Sequence, residues 1–459
     1  MGLSDSLAGK RPRPMNYGQP HPSTHPHLVK EGEITPGITA KEYAQRRENL
    51  MARVPVGTVM IVPSHPEMMM SYDIPYSFRQ QTDFYYLSGY QEPDALLVLA
   101  KRSDSEPIHF TMFLRPRDPA REIWDGPRSG VEGAVSFFGA DEAHPIDRLA
   151  EKLKDLTDGV KNILYSPDVH LEFTHQIFAL IPPEKIACPR NLLQTMRLIK
   201  SPAEIDVMRR STEISGQAFR EIMRATQPGI TEGQLAALYE YECRKRGSQR
   251  LAYPPVFASG IHANTLHYVA NDDIMQDGQM VLVDAGGEYN MFSSDITRTW
   301  PVNGKFTPAQ LDLYNTVLDV QKKCIELCVS DGRMSPSALH QMSTQFITEG
   351  LKNLGLIKPG QTSGVSRFYP HSIGHWLGMD VHDVHDVSTR VPFKPGMMAT
   401  VEPGIYVSDD PDIPAELRGM GVRIEDDVLI TTGAPEILTA GAPKEAHDIE
   451  AVMRDRKPL

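Results

Sequence analysis

Residues 281–300 read VLVDAGGEYNMFSSDITRTW, and this stretch determines how the second half of the chain is interpreted. Asp284 ends an apolar run, and Asp295 opens a second strand-like run 11 positions later. Two strands joined by a turn would bring both carboxylates to one edge of a sheet. Strand interiors rarely carry carboxylates unless a partner or a metal ion neutralises them. The pair is a weak signal by itself, because acids at the tip of a hairpin are common.

Three histidines fall close together further along the chain. His371 and His375 enclose Ser-Ile-Gly, and His382 follows the mostly apolar stretch 376–381. Histidines four apart are typical of zincin proteases, but Ser372 occupies the position of the glutamate that zincin chemistry requires. A zincin site is therefore excluded. Each of these histidines, taken alone, is more often structural than a metal ligand.

Two glutamates stand in apolar surroundings near the end of the chain. Glu402 ends an apolar stretch, and Glu425 lies in a strand-like run over residues 421–431. Alternation along a strand sets Glu425 on the face opposite Ile424, where a surface ion pair with Arg423 is the simpler interpretation. The two acids that follow Glu425 are expected in the solvated end of that strand.

Together these residues are more informative than any one of them. The set contains two aspartates, two glutamates and one histidine, so oxygen donors dominate. Such a set suits Mn²⁺, Co²⁺ or Fe²⁺ better than the sulfur and nitrogen ligands of structural zinc sites. Carboxylates can bridge, so five ligands suffice for two divalent ions. Two ions roughly 3.5–4 Å apart can hold a hydroxide between them and polarise a carbonyl group.

The first part of the chain mixes helices and strands, as α/β units do. A helix is predicted over residues 41–53 and another near 141–156, and a boundary is expected at 183–201. Strands are predicted over residues 58–63, 83–87, 95–100, 108–114 and 162–165.

The second part predicts long helices packed on a largely antiparallel sheet, which is an α+β arrangement. Three helix starts have the capping-box pattern, in which the side chains of a Ser or Thr and of a Glu or Gln three residues later satisfy backbone N–H groups. They begin at Ser201, Thr231 and Thr307. Strands are predicted over residues 280–284, 295–302, 397–407 and 421–431.

The composition excludes several classes of function. The 459 residues suggest two or three domains, and 47 basic against 59 acidic residues leave a net charge of −12. A nucleic-acid partner is not expected, because it would need a basic face. The longest apolar runs, such as residues 95–100, are far too short to span a bilayer. Four scattered cysteines provide no disulfide framework, as expected inside the cell.

The motifs together resemble the Xaa-Pro aminopeptidases of the creatinase-like, pita-bread metallopeptidase superfamily. The segments DIPY (73–76), WDGPRSG (124–130) and RLIKSPAE (197–204) carry the same resemblance. It covers nearly the whole chain and is strongest for the mitochondrial group that includes the intermediate-cleaving peptidases. It implies an α/β amino-terminal domain plus an α+β pita-bread carboxyl-terminal metallopeptidase domain. The expected bounds are an arm over residues 1–40, the amino-terminal domain over 41–190 and the catalytic domain over 195–455.

The resemblance also implies a role for each site residue. Two divalent ions, with Mn²⁺ as the expected metal, would be held by five ligands: Asp284, Asp295, His375, Glu402 and Glu425. Asp295 and Glu425 would bridge the ions. The substrate-binding positions of the family match five further residues: His267, His371, His382, Tyr406 and Arg423. Four of these five, all except the tyrosine, would act in catalysis together with Glu402.

The implied mechanism is attack on the scissile carbonyl by a hydroxide that bridges the two ions. Glu402 would shuttle the proton, and His267 and His382 would stabilise the tetrahedral intermediate. Arg423 and His371 would steady Glu425 and the substrate chain. One departure from the family pattern is His385, which is expected to be a surface residue that affects loop shape only.

The expected activity is removal of one amino-terminal residue from a peptide or protein, with proline preferred as the next residue. Trimming of one residue from processed mitochondrial proteins is a further activity that the resemblance implies. It also implies a homodimer and a mitochondrial location, with the cytoplasm as the alternative. The basic residues near the amino terminus, such as Arg11 and Arg13, are interpreted as a disordered tail or the remnant of a targeting segment.

Two alternatives stay open. A prolidase has the same metal core but accepts only dipeptides. A metal-free pita-bread domain could act as a binding module, although the complete ligand set argues against it. A methionine aminopeptidase is disfavoured because a whole α/β domain precedes the predicted metal domain.

Overall fold

A computed structural model describes residues 17–167, 169–358 and 364–457 of the chain. Arg11 and Arg13, which are expected in a tail or the remnant of a targeting segment, lie outside these described residues. The fold divides into two compact units, the first ending at Leu193 and the second beginning at Gln194. Among the described residues, no helix combines the length and the apolar character that crossing a membrane requires.

The first unit is an α/β structure. Its helices are α1 (Ala40–Met51), α2 (Thr82–Ser88), α3 (Pro119–Asp125), α4 (Gly130–Ser136), α5 (Leu149–Thr157) and α6 (Leu171–Leu180), and α7 (Arg190–Arg197) contains the division between the units. Its strands are β1 (Glu33–Thr35), β2 (Ile38–Thr39), β3 (Thr58–Pro63), β4 (Met69–Ser71), β5 (Ile74–Pro75), β6 (Leu96–Lys101), β7 (His109–Leu114), β8 (Glu142–Pro145), β9 (Asn162–Tyr165) and β10 (Ile186–Ala187).

A six-stranded mixed sheet with the order β10-β9-β3-β6-β7-β8 forms the centre of the first unit. Strand β3 is parallel to β9 and antiparallel to β6. The strand predicted over residues 83–87 is wrong, because Thr82–Ser88 is a helix. All seven residues are buried, so their apolar run has no helical period that the sequence could reveal. Gln81 caps the start of this helix, and Gly89 ends it in the left-handed conformation.

The second unit is an α+β structure. Its helices are α8 (Pro202–Ala225), α9 (Glu232–Lys245), α10 (Pro308–Glu326), α11 (Pro336–Asn353) and α12 (Ala446–Arg454). Its strands are β11 (Arg250–Leu251), β12 (Val256–Ser259), β13 (Met280–Ala285), β14 (Gly287–Tyr289), β15 (Phe292–Ser293), β16 (Ile296–Pro301), β17 (Met398–Val401), β18 (Gly404–Tyr406), β19 (Gly421–Arg423), β20 (Asp426–Leu429) and β21 (Glu436–Ile437).

The capping boxes predicted for α8, α9 and α10 are all confirmed. Ser201, Thr231 and Thr307 each accept a hydrogen bond from the backbone N–H three residues later, and the Glu or Gln at that position reaches back. Each box satisfies helix N–H groups that would otherwise lack partners. These local patterns therefore determine where the three helices begin.

Antiparallel strands place the acids of the second unit. Strand β13 lies between β12 and β16, and its register aligns Asp284 with Thr297 and Ala285 with Ile296. Asp295 therefore lies one residue beyond the paired segment, at the same edge as Asp284. The predicted strand over residues 397–407 is two strands, β17 and β18, because Glu402 and Pro403 interrupt it.

The expectation that Asp426 and Asp427 are solvated is wrong, because both side chains are fully buried. Asp426 accepts hydrogen bonds from Arg298, Gln321, Thr439 and Lys444. Burial alone would raise the pKa of Asp426, but the charges of Arg298 and Lys444 hold it well below its usual range. Arg298 is itself fully buried and also donates to the carbonyl oxygens of Ala442 and Pro443.

We expect Arg298→Met to lower the free energy of unfolding of the second unit by about 3–5 kcal/mol, because it leaves a buried carboxylate without its main cation. Urea unfolding followed by circular dichroism measures this loss. Arg209→Met is the matched control, since the exposed Arg209–Glu436 pair is expected to contribute at most about 1 kcal/mol. Equal losses for the two variants would contradict a structural role for the buried pair.

Candidate active site

A cavity of about 730 Å³ in the second unit collects almost all of the predicted site residues. This volume suits a small ligand or the end of a peptide. The predicted residues that line it are Asp284, Asp295, His375, Glu402, Glu425, His267, His371, His382 and Arg423. The segments that carry them are distant in sequence, so only the folded unit brings them together. His385 also lines this cavity, although its side chain is 66% exposed as expected of a surface residue.

Tyr253 joins the two aspartates. Its hydroxyl oxygen lies 2.7 Å from Oδ1 of Asp284 and 2.5 Å from Oδ1 of Asp295. A hydroxyl group has one proton and can donate it to only one of these oxygens at a time. The close packing of three oxygens therefore leaves negative charge that a cation would neutralise.

His375 presents one ring nitrogen to the carboxylates. Its Nδ1 lies 3.1 Å from the carbonyl oxygen of Trp376, so Nδ1 carries the proton in this contact. Its Nε2 lies 3.3 Å from Oδ2 of Asp295 and 3.7 Å from Oε1 of Glu402. Once its Nε2 proton is lost, an imidazole held in this way offers the Nε2 lone pair to a metal ion.

The turn before His375 packs closely against β17. A Cβ atom on Gly374 would lie 2.0 Å from the carbonyl oxygen of Thr400, so only glycine fits there. The backbone N–H of His375 donates to Oγ1 of Thr400, and the backbone N–H of Thr400 donates to the His375 carbonyl. These contacts fix the position of the imidazole.

Glu425 completes a group of three candidate ligands. Oγ1 of Thr297 lies 2.6 Å from Oε2 of Glu425 and donates to it. One ligand atom each from Asp295, His375 and Glu425 lie within 4.8 Å of one another. Asp284 adjoins this group through Tyr253, and Glu402 adjoins it through His375. The five predicted ligands therefore form one continuous cluster.

The electrostatics of the cluster favour a bound cation. Burial raises the pKa of Asp284, raises that of Glu402 to about 7, and raises that of Glu425 well above its usual range. Repulsion among the neighbouring carboxylates adds to this effect. Burial lowers the pKa of His375, but the hydrogen bond to Asp295 and the charge of Glu402 outweigh burial and raise it to about 9. Four crowded carboxylates and one imidazole are donors that fit hard divalent ions.

Arg423, Tyr406 and His371 form a chain of hydrogen bonds beside the ligands. Arg423 donates from Nη2 to Oδ2 of Asp284 at 2.5 Å and from Nη1 to the hydroxyl of Tyr406 at 2.9 Å. Nε2 of His371 lies 2.8 Å from that hydroxyl, and its Nδ1 lies 2.8 Å from the Ser372 carbonyl. Burial and the charge of Arg423 lower the pKa of His371 to about 4, so this imidazole is neutral. Tyr406 lies behind His371 and orients it.

His267 and His382 form other parts of the wall. The ring of His382 meets that of His375 edge to face, with 4.4 Å between the ring centroids. Burial, followed by the charge of His375, lowers the pKa of His382. Both residues lie where a ligand in the cavity would pass.

Sequence reasoning missed three residues of the site: Tyr253, Thr297 and Asp427. Tyr253 stands in a loop 31 and 42 residues before the two aspartates whose oxygens it joins. Thr297 is two residues after Asp295, so strand alternation could have placed it on the same face. Asp427 accepts a hydrogen bond of 3.0 Å from the backbone N–H of Asp295. Asp427 is two residues after Glu425, so the same alternation could have placed both side chains on one face.

Comparisons with known proteins agree with this arrangement. The sequence matches Metallopeptidase family M24 over residues 206–432 and the Aminopeptidase P, N-terminal domain over residues 43–165. It is 45% identical to Xaa-Pro aminopeptidase 3 of Rattus norvegicus over 457 residues, which cover 95% of this chain and 90% of the relative. It is 39% identical to the mitochondrial intermediate cleaving peptidase 55 of Arabidopsis thaliana, over 96% of this chain and 88% of that protein.

A solved structure has the same fold. The crystal structure of Icp55 from Saccharomyces cerevisiae has a TM-score of 0.87 and 38% sequence identity, and the match covers 93% of this chain and all of that one. The expected combination of an α/β amino-terminal domain and a pita-bread carboxyl-terminal domain is thereby confirmed. The chain is a metallopeptidase of family M24 and belongs to the Xaa-Pro aminopeptidases.

Proposed function

We propose that this protein removes the amino-terminal residue from peptides, prefers proline as the second residue, and also trims one residue from processed mitochondrial proteins. The observation that carries the proposal is the cluster of five ligand-type residues in one cavity, with three of their ligand atoms within 4.8 Å of one another. The Xaa-Pro aminopeptidase and intermediate cleaving peptidase relatives support both parts of it.

The same cluster would hold two divalent ions, for which Mn²⁺ is our candidate. The proposed ligands are Asp284, Asp295, His375, Glu402 and Glu425. The excess of carboxylate oxygens supports a hard ion over a structural zinc. When bound, such ions supply a nucleophilic hydroxide at neutral pH and polarise the scissile carbonyl.

The residues of the chain would divide the remaining work. Glu402 would move the proton, because its carboxylate lines the cavity beside the other proposed ligands. His267 and His382 face the cavity and would hold substrate oxygens. Arg423 neutralises part of the carboxylate charge through Asp284, and with Tyr406 it keeps His371 in place. The substrate-binding role of Tyr406 is thus proposed to be indirect.

Further proposals concern the whole protein. The domain bounds of 41–190 and 195–455 are supported by the two family matches and by the division between Leu193 and Gln194.

A homodimer is supported by the family resemblance and by the exposed Ile123 and Trp124 on α3, and sedimentation velocity tests it. A mitochondrial location is supported by the Arabidopsis relative, which is a mitochondrial intermediate cleaving peptidase.

Mass spectrometry of products tests the proposed activity. Mn²⁺-loaded protein is incubated with an Xaa-Pro dipeptide, an Xaa-Pro-Yaa peptide, and a longer peptide with a bulky first residue and no proline. We expect loss of one residue from the second substrate and slower cleavage of the first, and cutting of the third would support the trimming activity. Cleavage of the dipeptide alone would identify a prolidase. Absence of any cleavage, together with absence of metal binding, would favour a binding module.

We expect Glu402→Gln to lower kcat by about 10²–10⁴-fold, because glutamine cannot carry the proton. Steady-state hydrolysis of an Xaa-Pro-Yaa peptide measures this loss, and metal analysis establishes how much ion is retained. Glu436→Gln is the control, since Glu436 pairs with Arg209 on the surface. Near-normal turnover of the metal-loaded Glu402 variant would show that another group moves the proton.

We expect Mn²⁺ to stabilise the protein against heat, since an ion that binds the folded state at 100 times its Kd adds about 2.7 kcal/mol. Glu425→Gln should abolish most of this shift because it removes a ligand. It should also raise the Tm of the metal-free protein, because it relieves repulsion within the buried carboxylate cluster. Differential scanning calorimetry with and without chelator measures both effects. A full Mn²⁺ shift in the variant would exclude Glu425 as a ligand.

A further inference from the structure

The segment RLIKSPAE (197–204) has no part in the chemistry described above, yet the side chains of its two cations, Arg197 and Lys200, are buried inside the protein. The side chains of Arg197 and Lys200 are only 5% and 2% exposed. Arginine and lysine are almost never buried to this degree unless they are paired. Burial lowers the pKa of Lys200, while the nearby Asp383 acts in the opposite direction.

The partners of both cations belong to the loop that carries His382. Nη2 of Arg197 contacts Oδ1 of Asp383 and lies 2.9 Å from Oδ2 of Asp380. Nζ of Lys200 lies 3.2 Å from Oδ2 of Asp383. Asp383 therefore receives a cation at each carboxylate oxygen, and its side chain is 1% exposed.

The backbone around Asp383 is tightly constrained. The N–H of Asp383 donates to the carbonyl oxygen of Trp376 at 3.0 Å. A Cβ atom on Gly378 would lie 2.2 Å from Oδ2 of Asp383, so the carboxylate fills the space that this glycine leaves. Val384 has a φ of +43°, a conformation that β-branched residues rarely adopt and that persists only where the surroundings enforce it.

His382 depends on this backbone for its position. Within the part of the chain that the structure describes, its imidazole makes an edge contact with His375 and no hydrogen bond to another protein group. Its neighbour Asp383 is fixed by two ionic contacts, and the next residue is strained. If Asp383 became more mobile, the neighbouring His382 in the cavity wall would therefore move with it.

We propose that Arg197, Lys200 and Asp383 are positioning residues, which hold the strained loop around Val384 and thereby set the place of His382 in the cavity. The inference rests on the proposed function for the role of His382, but the contacts themselves do not depend on that function. A buried ion cluster is seldom a better source of stability than apolar residues of the same size. We infer that this ion cluster serves to fix a position, because it joins the loop that carries His382 to the segment at the start of the catalytic unit.

A double-mutant cycle tests whether the cluster acts through His382. Lys200→Met keeps the aliphatic stem and leaves the pairing of Arg197 with Asp383 intact. We expect it to lower kcat/KM for an Xaa-Pro-Yaa peptide by about tenfold, because small displacements of a positioned group have effects of this size. In a His382→Ala background the same substitution should change kcat/KM by less than about twofold. An equal loss in both backgrounds would overturn the proposal.

Hydrogen exchange provides a readout that does not require activity. Backbone amides of residues 376–387 should exchange about tenfold faster in Lys200→Met than in the wild type, because the loop opens locally. Leu351→Ala is the control, since it removes a buried side chain of α11 and destabilises the unit without touching this loop. If the loop exchanges no faster in Lys200→Met than in this control, the proposal is wrong. If Lys200→Met does not fold, Arg197→Gln takes its place in both experiments.

If the wild type cleaves none of the peptides, the proposed function fails, and the exchange experiment alone decides the inference. Faster exchange confined to residues 376–387 would then support the anchoring of the loop. Unchanged exchange would overturn it. The two failures are therefore distinguishable.

Discussion

Repulsion among four closely spaced carboxylates, of which Asp295 and Glu425 are buried, is the constraint on which the catalytic unit depends. Removing carboxylates from water is unfavourable, and placing them side by side adds like-charge repulsion. Positive charge and hydrogen-bond donors surround the cluster: Arg423 beside Asp284, Thr297 beside Glu425, and Tyr253 between the two aspartates. These neighbours offset only part of the charge. The cluster is thus preorganised for cations, and its neighbours serve to keep it together.

Glu425, Asp426 and Asp427 are three consecutive acids whose side chains point alternately to two sides of the chain. Glu425 and Asp427 lie on one side, where the first reaches the cavity and the second accepts from the backbone of Asp295. Asp426 points to the other side, where Arg298 and Lys444 hold it. Glu425 directly precedes β20, and Asp426 and Asp427 are its first two residues, so a proposed ligand, a structural ion pair and a support for Asp295 stand at successive positions. A shift of one residue in register would exchange these roles.

The features that the sequence predicted well depend on neighbouring residues or on a regular spacing of apolar residues. The capping boxes, and the pairing of two strands that brings Asp284 and Asp295 to one edge, follow from short patterns. Helix α2 was missed because a segment buried on all sides has no polar face to reveal its period. The burial of Asp426 was missed because Arg298, its main partner, lies 128 positions earlier in the chain. Tyr253 and the partners of Lys200 are likewise set by tertiary packing.

The hydrogen bonds from Arg423 through Tyr406 to His371 have a fixed direction. Arginine can only donate, so the tyrosine hydroxyl accepts from it and must pass its own proton toward Nε2 of the histidine. Nδ1 of the same ring is turned to the Ser372 carbonyl. Both nitrogens are therefore engaged within the protein, and the ring offers an incoming peptide only its carbon edge. His371 would thus contribute an apolar surface of defined shape, of the kind against which a pyrrolidine ring packs, rather than a charge.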